Sequence, residues 1–165
     1  MTSPLFTPRI LLSLLLLMAI LSPLAAQDTR GSLVPDAVVL LADGTTREVQ
    51  DLRQGTMLWT WLPGGKPGPA KVTALRKQHS DSYIQLKAGK LQVHATGAHR
   101  IALPGGALVR LDTLKVGDKI LSWGLQGLEE TVVTSVRVFP ATLVTYDLTV
   151  EGHRLFQVGG ILLAD

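Results

Sequence analysis

The sequence predicts an all-β fold, built as two intertwined half-domains behind a cleaved export signal, and three observations predict it. The apolar runs after Val38 are short, rich in Val, Leu, Ile and Thr, and broken by Gly-Gly and Asp-Gly pairs, the pattern of strands and tight turns. The chain repeats itself at an offset of 62 residues. Beyond the N-terminus, no apolar period of 3.6 residues persists long enough to make a helix.

Residues 1–26 form the expected signal. A short start carrying Arg9 leads into an almost unbroken Leu-rich run over 10–21, followed by Ser22, Pro23 and the small pair Ala25 and Ala26. That is the order of a secretory signal peptide, with cleavage after Ala26. The run of about 12 apolar residues is short for a membrane span, which needs about 20, so membrane attachment is expected only if the signal stays uncleaved. The protein is therefore expected to be secreted or periplasmic. Residues 27–31 form a short leader, and residues 32–165 a single domain long enough to bury a core without cross-links.

Strands are expected over 38–41, 57–61, 71–75, 83–86, 119–123, 131–138, 142–150 and 154–158. Turn signals punctuate them at Asp43-Gly44, Pro63-Gly64-Gly65, Ala88-Gly89, Pro104-Gly105-Gly106 and Gly159-Gly160. Sliding the chain by 62 residues sets Leu41, Gly44, Leu52, Gly55 and Trp61 over Leu103, Gly106, Leu114, Gly117 and Trp123, and with a one-residue slip the match continues from Val72 to Val133. Matching glycines mean matching turns. Half-domains of about 60 residues are too small for cores of their own, so they are expected to intertwine into one pseudo-twofold β-structure. Chance similarity between strand-turn-strand segments is the plainer alternative.

Composition closes several chemistries. There is no Cys and no Asn, which excludes disulfides, thiolate metal sites, iron–sulfur clusters, a thiol nucleophile, N-glycosylation and Asn cyclisation. The 16 basic and 13 acidic side chains give +3, and losing Arg9 with the signal lowers this to +2. The basic residues are dispersed without interleaved aromatics, so nucleic acid is not an expected partner. His79, His94, His99 and His153 show no ligand-pair spacing, and neither a metal nor a cofactor is expected. Gly64-Gly65-Lys66 lacks the rest of a phosphate-binding loop and reads as a hairpin tip. Trp59 and Trp61 share one strand face and read as core or as a half-buried patch.

Three segments in order carry a family resemblance. The first is Ser32-Leu33-Val34-Pro35, continuing through Val38 to Gly44 and Val49 to Gly55; the second is Leu91 to His99, with Thr96-Gly97-Ala98-His99; the third is Tyr146-Asp147-Leu148-Thr149-Val150-Glu151-Gly152-His153, then Phe156 and Gly160-Ile161-Leu162-Leu163. In this order and spacing they resemble the Hint module shared by inteins and the autoprocessing part of hedgehog proteins. The resemblance covers essentially all of 32–165, and Hint domains are similar to the pseudo-twofold β-structure suggested by the repeat.

The resemblance implies an acyl shift, in which Ser32 attacks the carbonyl of Gly31 and turns an amide into an ester. A hydroxyl is a weaker nucleophile than a thiol and needs help. By the same resemblance His99 would donate a proton to the departing Ser32 nitrogen, the Thr96 hydroxyl would hold the scissile amide or the imidazole, and Asp147 and His153 would be further catalytic residues at the active site. Gly31 is expected to let a strained amide form. The sequence departs from the family's pattern at four places. Ser32 replaces the usual Cys, Ala37 stands where Thr is common, Thr56 replaces an Asp, and Ala164-Asp165 stands where inteins end in His-Asn. Splicing and C-terminal cleavage are therefore not expected.

The substrate is then the chain's own peptide, the domain a monomer, and any activity a single-turnover autoproteolysis. The alternative is a catalytically inactive exported β-domain that keeps the Hint fold as a binding or structural module. Read without the resemblance, Ser32 is a leader residue, Thr96 a turn residue, His99 a strand-start histidine, and Asp147 a solvent-facing side chain between Tyr146 and Leu148.

Overall fold

The repeat in the sequence is a repeat of structure. The structure, a computed structural model, describes residues 30–62 and 66–165. The expected signal, residues 27–29 of the leader and the turn at Pro63-Gly64-Gly65 lie outside the described residues. Eleven strands form among the described residues: β1 (Val38–Leu40), β2 (Thr46–Glu48), β3 (Met57–Trp61), β4 (Pro67–Ala88), β5 (Leu91–Ala95), β6 (Arg100–Ala102), β7 (Leu108–Arg110), β8 (Lys119–Gly124), β9 (Gly127–Val150), β10 (Leu155–Val158) and β11 (Ile161–Ala164). Single 3-10 turns, Val49–Asp51 and Leu111–Thr113, follow β2 and β7. Among the described residues no helix is long and apolar enough to cross a membrane.

Hydrogen bonds repeat at the 62-residue offset. Leu41 N–H donates to Thr45 O, and Leu103 N–H to Ala107 O, both at 2.8 Å. Gly55, at φ 91°, donates to Val72 O, while Gly117, at φ 97°, donates to Val133 O. These last acceptors are 61 apart, which is the one-residue slip read in the sequence. The left-handed backbone at Gly55 and Gly117 explains why both copies keep glycine there. Thr56, which departs from the family's Asp, accepts the Arg53 N–H at 3.1 Å just as Asp118 accepts the Lys115 N–H at 2.7 Å. A hydroxyl thus closes the first turn where a carboxylate closes the second.

The sheet order, β2-β1-β10-β3-β4-β9-β8-β11-β6-β7, is a palindrome under this repeat. Its centre is the antiparallel pair β4–β9, registered from Val72↔Val150 to Ala88↔Val133. The equivalent places inside the two halves are filled by β10 and β11, the arms of a single C-terminal hairpin. That hairpin joins β1 and β3 on one side to β6 and β8 on the other, which is how halves too small for separate cores share one. Its buried Phe156, Val158, Ile161 and Leu163 belong to the main core with Leu58, Leu86, Ile101 and Ile120. A smaller cluster forms around Trp61, Leu155 and Leu162, where the repeat-related Trp61 and Trp123 meet at a ring separation of 4.5 Å.

Two expected pairs of strands are each one strand. The gap between 75 and 83 lies inside β4 and the gap between 138 and 142 inside β9. Polar Lys77 to Ser82 and Pro140 read as breaks, but the ladder runs through them with an irregularity between Ser80 and Ser82, opposite Pro140. A bulge tolerates a residue without an N–H to donate. Short β2, β5, β6, β7 and β11 were not among the expected strands; three to five residues give too little alternation to see.

Candidate active site

Ser32 is clamped between the end of β5 and the C-terminal part of β9. Leu33 exchanges backbone hydrogen bonds with Tyr146, donating at 2.9 Å and accepting at 2.8 Å, and Thr96 N–H donates to Ser32 O at 2.8 Å. Ser32 is consequently 2 % exposed, not a loose leader residue. Its N–H, the amide nitrogen of the Gly31–Ser32 bond, donates to Thr96 Oγ1 at 2.9 Å, and its hydroxyl donates to Thr145 Oγ1 at 2.8 Å.

Thr96 and His99 stand on the turn between β5 and β6, closed by His99 N–H donating to Thr96 O at 3.0 Å. The repeat supplies a control for this turn. At the equivalent place, Ala37 N–H donates to Val34 O at 3.1 Å, and Val49 N–H meets Ala37 O as Leu111 N–H meets His99 O, both at 2.8 Å. Val34 and Ala37 are buried and apolar. The same turn is therefore built without polar side chains, so neither the Thr96 hydroxyl nor the His99 imidazole is needed to form it.

His99 is buried and packs edge-on against Phe156. Burial depresses its pKa to about 4, against a smaller raising effect of the Arg100 backbone hydrogen bond, because a charged ring in an apolar site loses its hydration. Nδ1 accepts the Arg100 N–H at 3.1 Å, so the neutral ring carries its proton on Nε2. Gly31 lies against this histidine so closely that a Cβ there would overlap the His99 backbone. Close approach alone requires the glycine here.

Thr145 and Asp147 share a face of β9 by period-two spacing. Thr145 is fully buried and Asp147 is 5 % exposed, so Asp147 is not the solvent-facing residue that alternation suggested. Its carboxylate lies 4.0 Å from the Arg30 guanidinium. Asp147, Arg30 and Gly31 line a cleft of about 440 Å³ with Arg76, Arg100, His153 and Asp165. His153, the one described non-glycine residue at positive φ (47°), turns its Nδ1 to 3.6 Å from Asp165 Oδ1, while Asp165 Oδ2 accepts the Val150 N–H at 2.8 Å.

The expected residues thus fall into two groups on either side of one peptide bond. Ser32 and His99 are buried and cluster with the half-buried Thr96, and Asp147 and His153 line the open cleft, with Gly31 touching both. Sequence reasoning missed Thr145, which only its period-two relation to Asp147 could have suggested, and the cleft roles of Asp165 and the arginines, for which the sequence holds no signal. Among the described residues no group of three or more His, Asp or Glu is placed to hold a metal ion.

Solved structures share this architecture. A DnaB intein from Synechocystis sp. PCC 6803 superposes with a TM-score of 0.74 at 23% identity, over 81% of this chain and 97% of that one. The chain has the Hint fold of inteins. A bacterial intein-like domain from Clostridium thermocellum aligns with this chain at a TM-score of 0.73 and 18% identity, over 81% and 98% of the two chains. The TvoVMA intein aligns at 0.73 and 21%, over 81% and 96%. No family model and no curated protein matches the sequence. The likeness lies in the fold, and what this chain does rests on its own residues.

Proposed function

We propose that this Hint domain cleaves its own chain between Gly31 and Ser32 by an N-to-O acyl shift, without splicing, in an exported protein. The observation that carries this reading is the hold on the Gly31–Ser32 peptide: its nitrogen donates to Thr96, its nucleophile candidate is buried on Thr145, and Gly31 is pressed against His99. In the shift the Ser32 Oγ bonds to the Gly31 carbonyl carbon, the carbon–nitrogen bond breaks, and the hydroxyl proton ends on the Ser32 nitrogen. Thr96 orients the departing nitrogen. His99 is the proton carrier, its Nε2–H offered to the charge that develops. Asp147 acts through Arg30 as a positioning residue.

A water or amine then attacks the ester from the cleft. His153, whose Nδ1 stands 3.6 Å from Asp165 Oδ1, serves as its general base. The apolar run over 10–21 supports export. A second reading, an inactive binding or structural module, is favoured by Ser32 Oγ donating to a hydroxyl rather than to an imidazole or carboxylate.

Intact mass of the purified protein, with and without hydroxylamine, tests the first reading against the second. Wild type is expected to yield a chain beginning at Ser32, and Ser32→Ala to keep Gly31. Identical N-termini in both proteins would leave the domain a scaffold.

A further inference from the structure

Charges in the cleft are unevenly matched. Arg30 faces Asp147, Asp165 Oδ2 accepts the Val150 N–H, and Asp165 Oδ1 lies 3.6 Å from His153 Nδ1. Arg76 and Arg100 line the same space and make no ion pair with any described carboxylate. Their places are set by the ladders: Arg76 is registered opposite Asp147 across β4–β9, and Arg100 opposite Ala164 across β6–β11. Two guanidiniums without a carboxylate partner therefore flank the cleft that reaches Gly31. Guanidinium forks recognise planar anions by paired, charge-assisted hydrogen bonds. The cleft, about 440 Å³, has room for a small molecule.

We infer that Arg76 and Arg100 form an acceptor subsite for a carboxylate, so that the nucleophile preferred at the Gly31 carbonyl is an α-amino acid rather than water or a neutral amine. This rests on the acyl-shift reading above. The acceptor's carboxylate pairs with the arginines while its amine attacks. The new bond joins the amine nitrogen to the Gly31 carbonyl carbon, and the bond from that carbon to Ser32 Oγ breaks. The proton lost by the amine passes by way of His153 to the Ser32 oxygen. The products are an N-terminal peptide extended by one residue beyond Gly31 and a domain beginning at Ser32 with a free amine. No oxidant, metal or cofactor enters the balance.

The test compares glycine with glycinamide at equal concentrations of free amine, with hydroxylamine as a small neutral reference, and reads the released peptide by mass. Wild type is expected to form the glycine adduct about tenfold faster than the glycinamide adduct, the size of one charge-assisted hydrogen bond. The Arg76→Gln/Arg100→Gln protein is expected to lose that preference and keep its hydroxylamine release. Equal adduct rates in wild type, or a preference that survives both substitutions, overturns the subsite. Titration of N-acetylglycine against the Ser32→Ala protein, with N-acetylglycinamide as control, reads the subsite apart from cleavage. Binding of the acid alone, abolished by the arginine substitutions, supports the subsite even if hydroxylamine releases nothing and the acyl shift fails. No difference between acid and amide overturns it.

Discussion

At Gly31 there is no room for a Cβ, and the obstacle is the His99 backbone, which cannot rotate away as a flexible side chain would. Gly31→Ala is therefore expected to displace the chain from Thr96, slowing cleavage strongly and costing about 1–3 kcal/mol of stability, as overpacking does; thermal unfolding and cleavage rate check it together. His99 adds a pH dependence. Its folded pKa of about 4 lies below the 6.5 of an unfolded histidine, so between those values the unfolded chain binds the extra proton and stability falls as pH falls. The loss across this window is up to about 3 kcal/mol, present at pH 4 and absent above pH 7. His99→Gln should flatten that limb in urea unfolding followed against pH. His153→Gln is a different case, because the ring stands in the open cleft: the ester should still form, while its resolution slows by about 10²-fold or more, seen as accumulation of ester trapped by hydroxylamine.

Turns and ladders explain which elements were legible. The strand ending in Trp61 spans Met57–Trp61 as expected, because alternation over five residues and clear turn signals on both sides mark it. The central strands were legible in pieces only. Pro140 and the polar stretch near Asp81 carry the signature of a break, and whether a ladder continues through such a place depends on the partner strand, which no local window contains. At the first repeated turn, Thr56 carries the bond that Asp118 carries in the second. Thr56→Val should cost about 1 kcal/mol, the worth of a hydrogen bond to an exposed backbone donor, and Thr56→Asp should retain that stability, both measurable by urea unfolding. The Thr96–His99 turn argues similarly. Its backbone is shared with Val34–Ala37, so Thr96→Val and His99→Phe are expected to impair cleavage far more than folding.

For the whole molecule, the C-terminal hairpin decides how the halves depend on each other. With β10 lying between β1 and β3, the first half cannot complete its sheet without the C-terminal hairpin, and the second half, which holds that hairpin, is left without β4, the long partner of β9. Fragments 30–95 and 96–165 are each expected to be unfolded by circular dichroism and to gain β-structure when mixed. The candidate site is equally non-local: Ser32 reaches Thr96 across 64 positions and Thr145 across 113. Folding dominated by such contacts is expected to take milliseconds to seconds, which tryptophan fluorescence on dilution from urea would follow.

What the sequence by itself determined is whatever depends on residue type and short spacing. Turn glycines recurring at 62 residues specify two like halves, apolar alternation specifies strands, and the missing Cys and Asn close off thiol and Asn-cyclisation chemistry. Ser32, Thr96, His99, Asp147 and His153 were singled out by the family resemblance of the segments that hold them. Only the tertiary structure decided that buried Ser32 and His99 and half-buried Thr96 gather around one peptide bond, that Thr145 holds the Ser32 hydroxyl, and that Asp147, His153, Asp165, Arg76 and Arg100 line an open cleft together with Gly31. The physical reason is reach. Strand alternation and turn chemistry act over a few residues, whereas the site is assembled by ladder register between segments more than 60 residues apart, and register is settled only when both strands and the core beneath them come together.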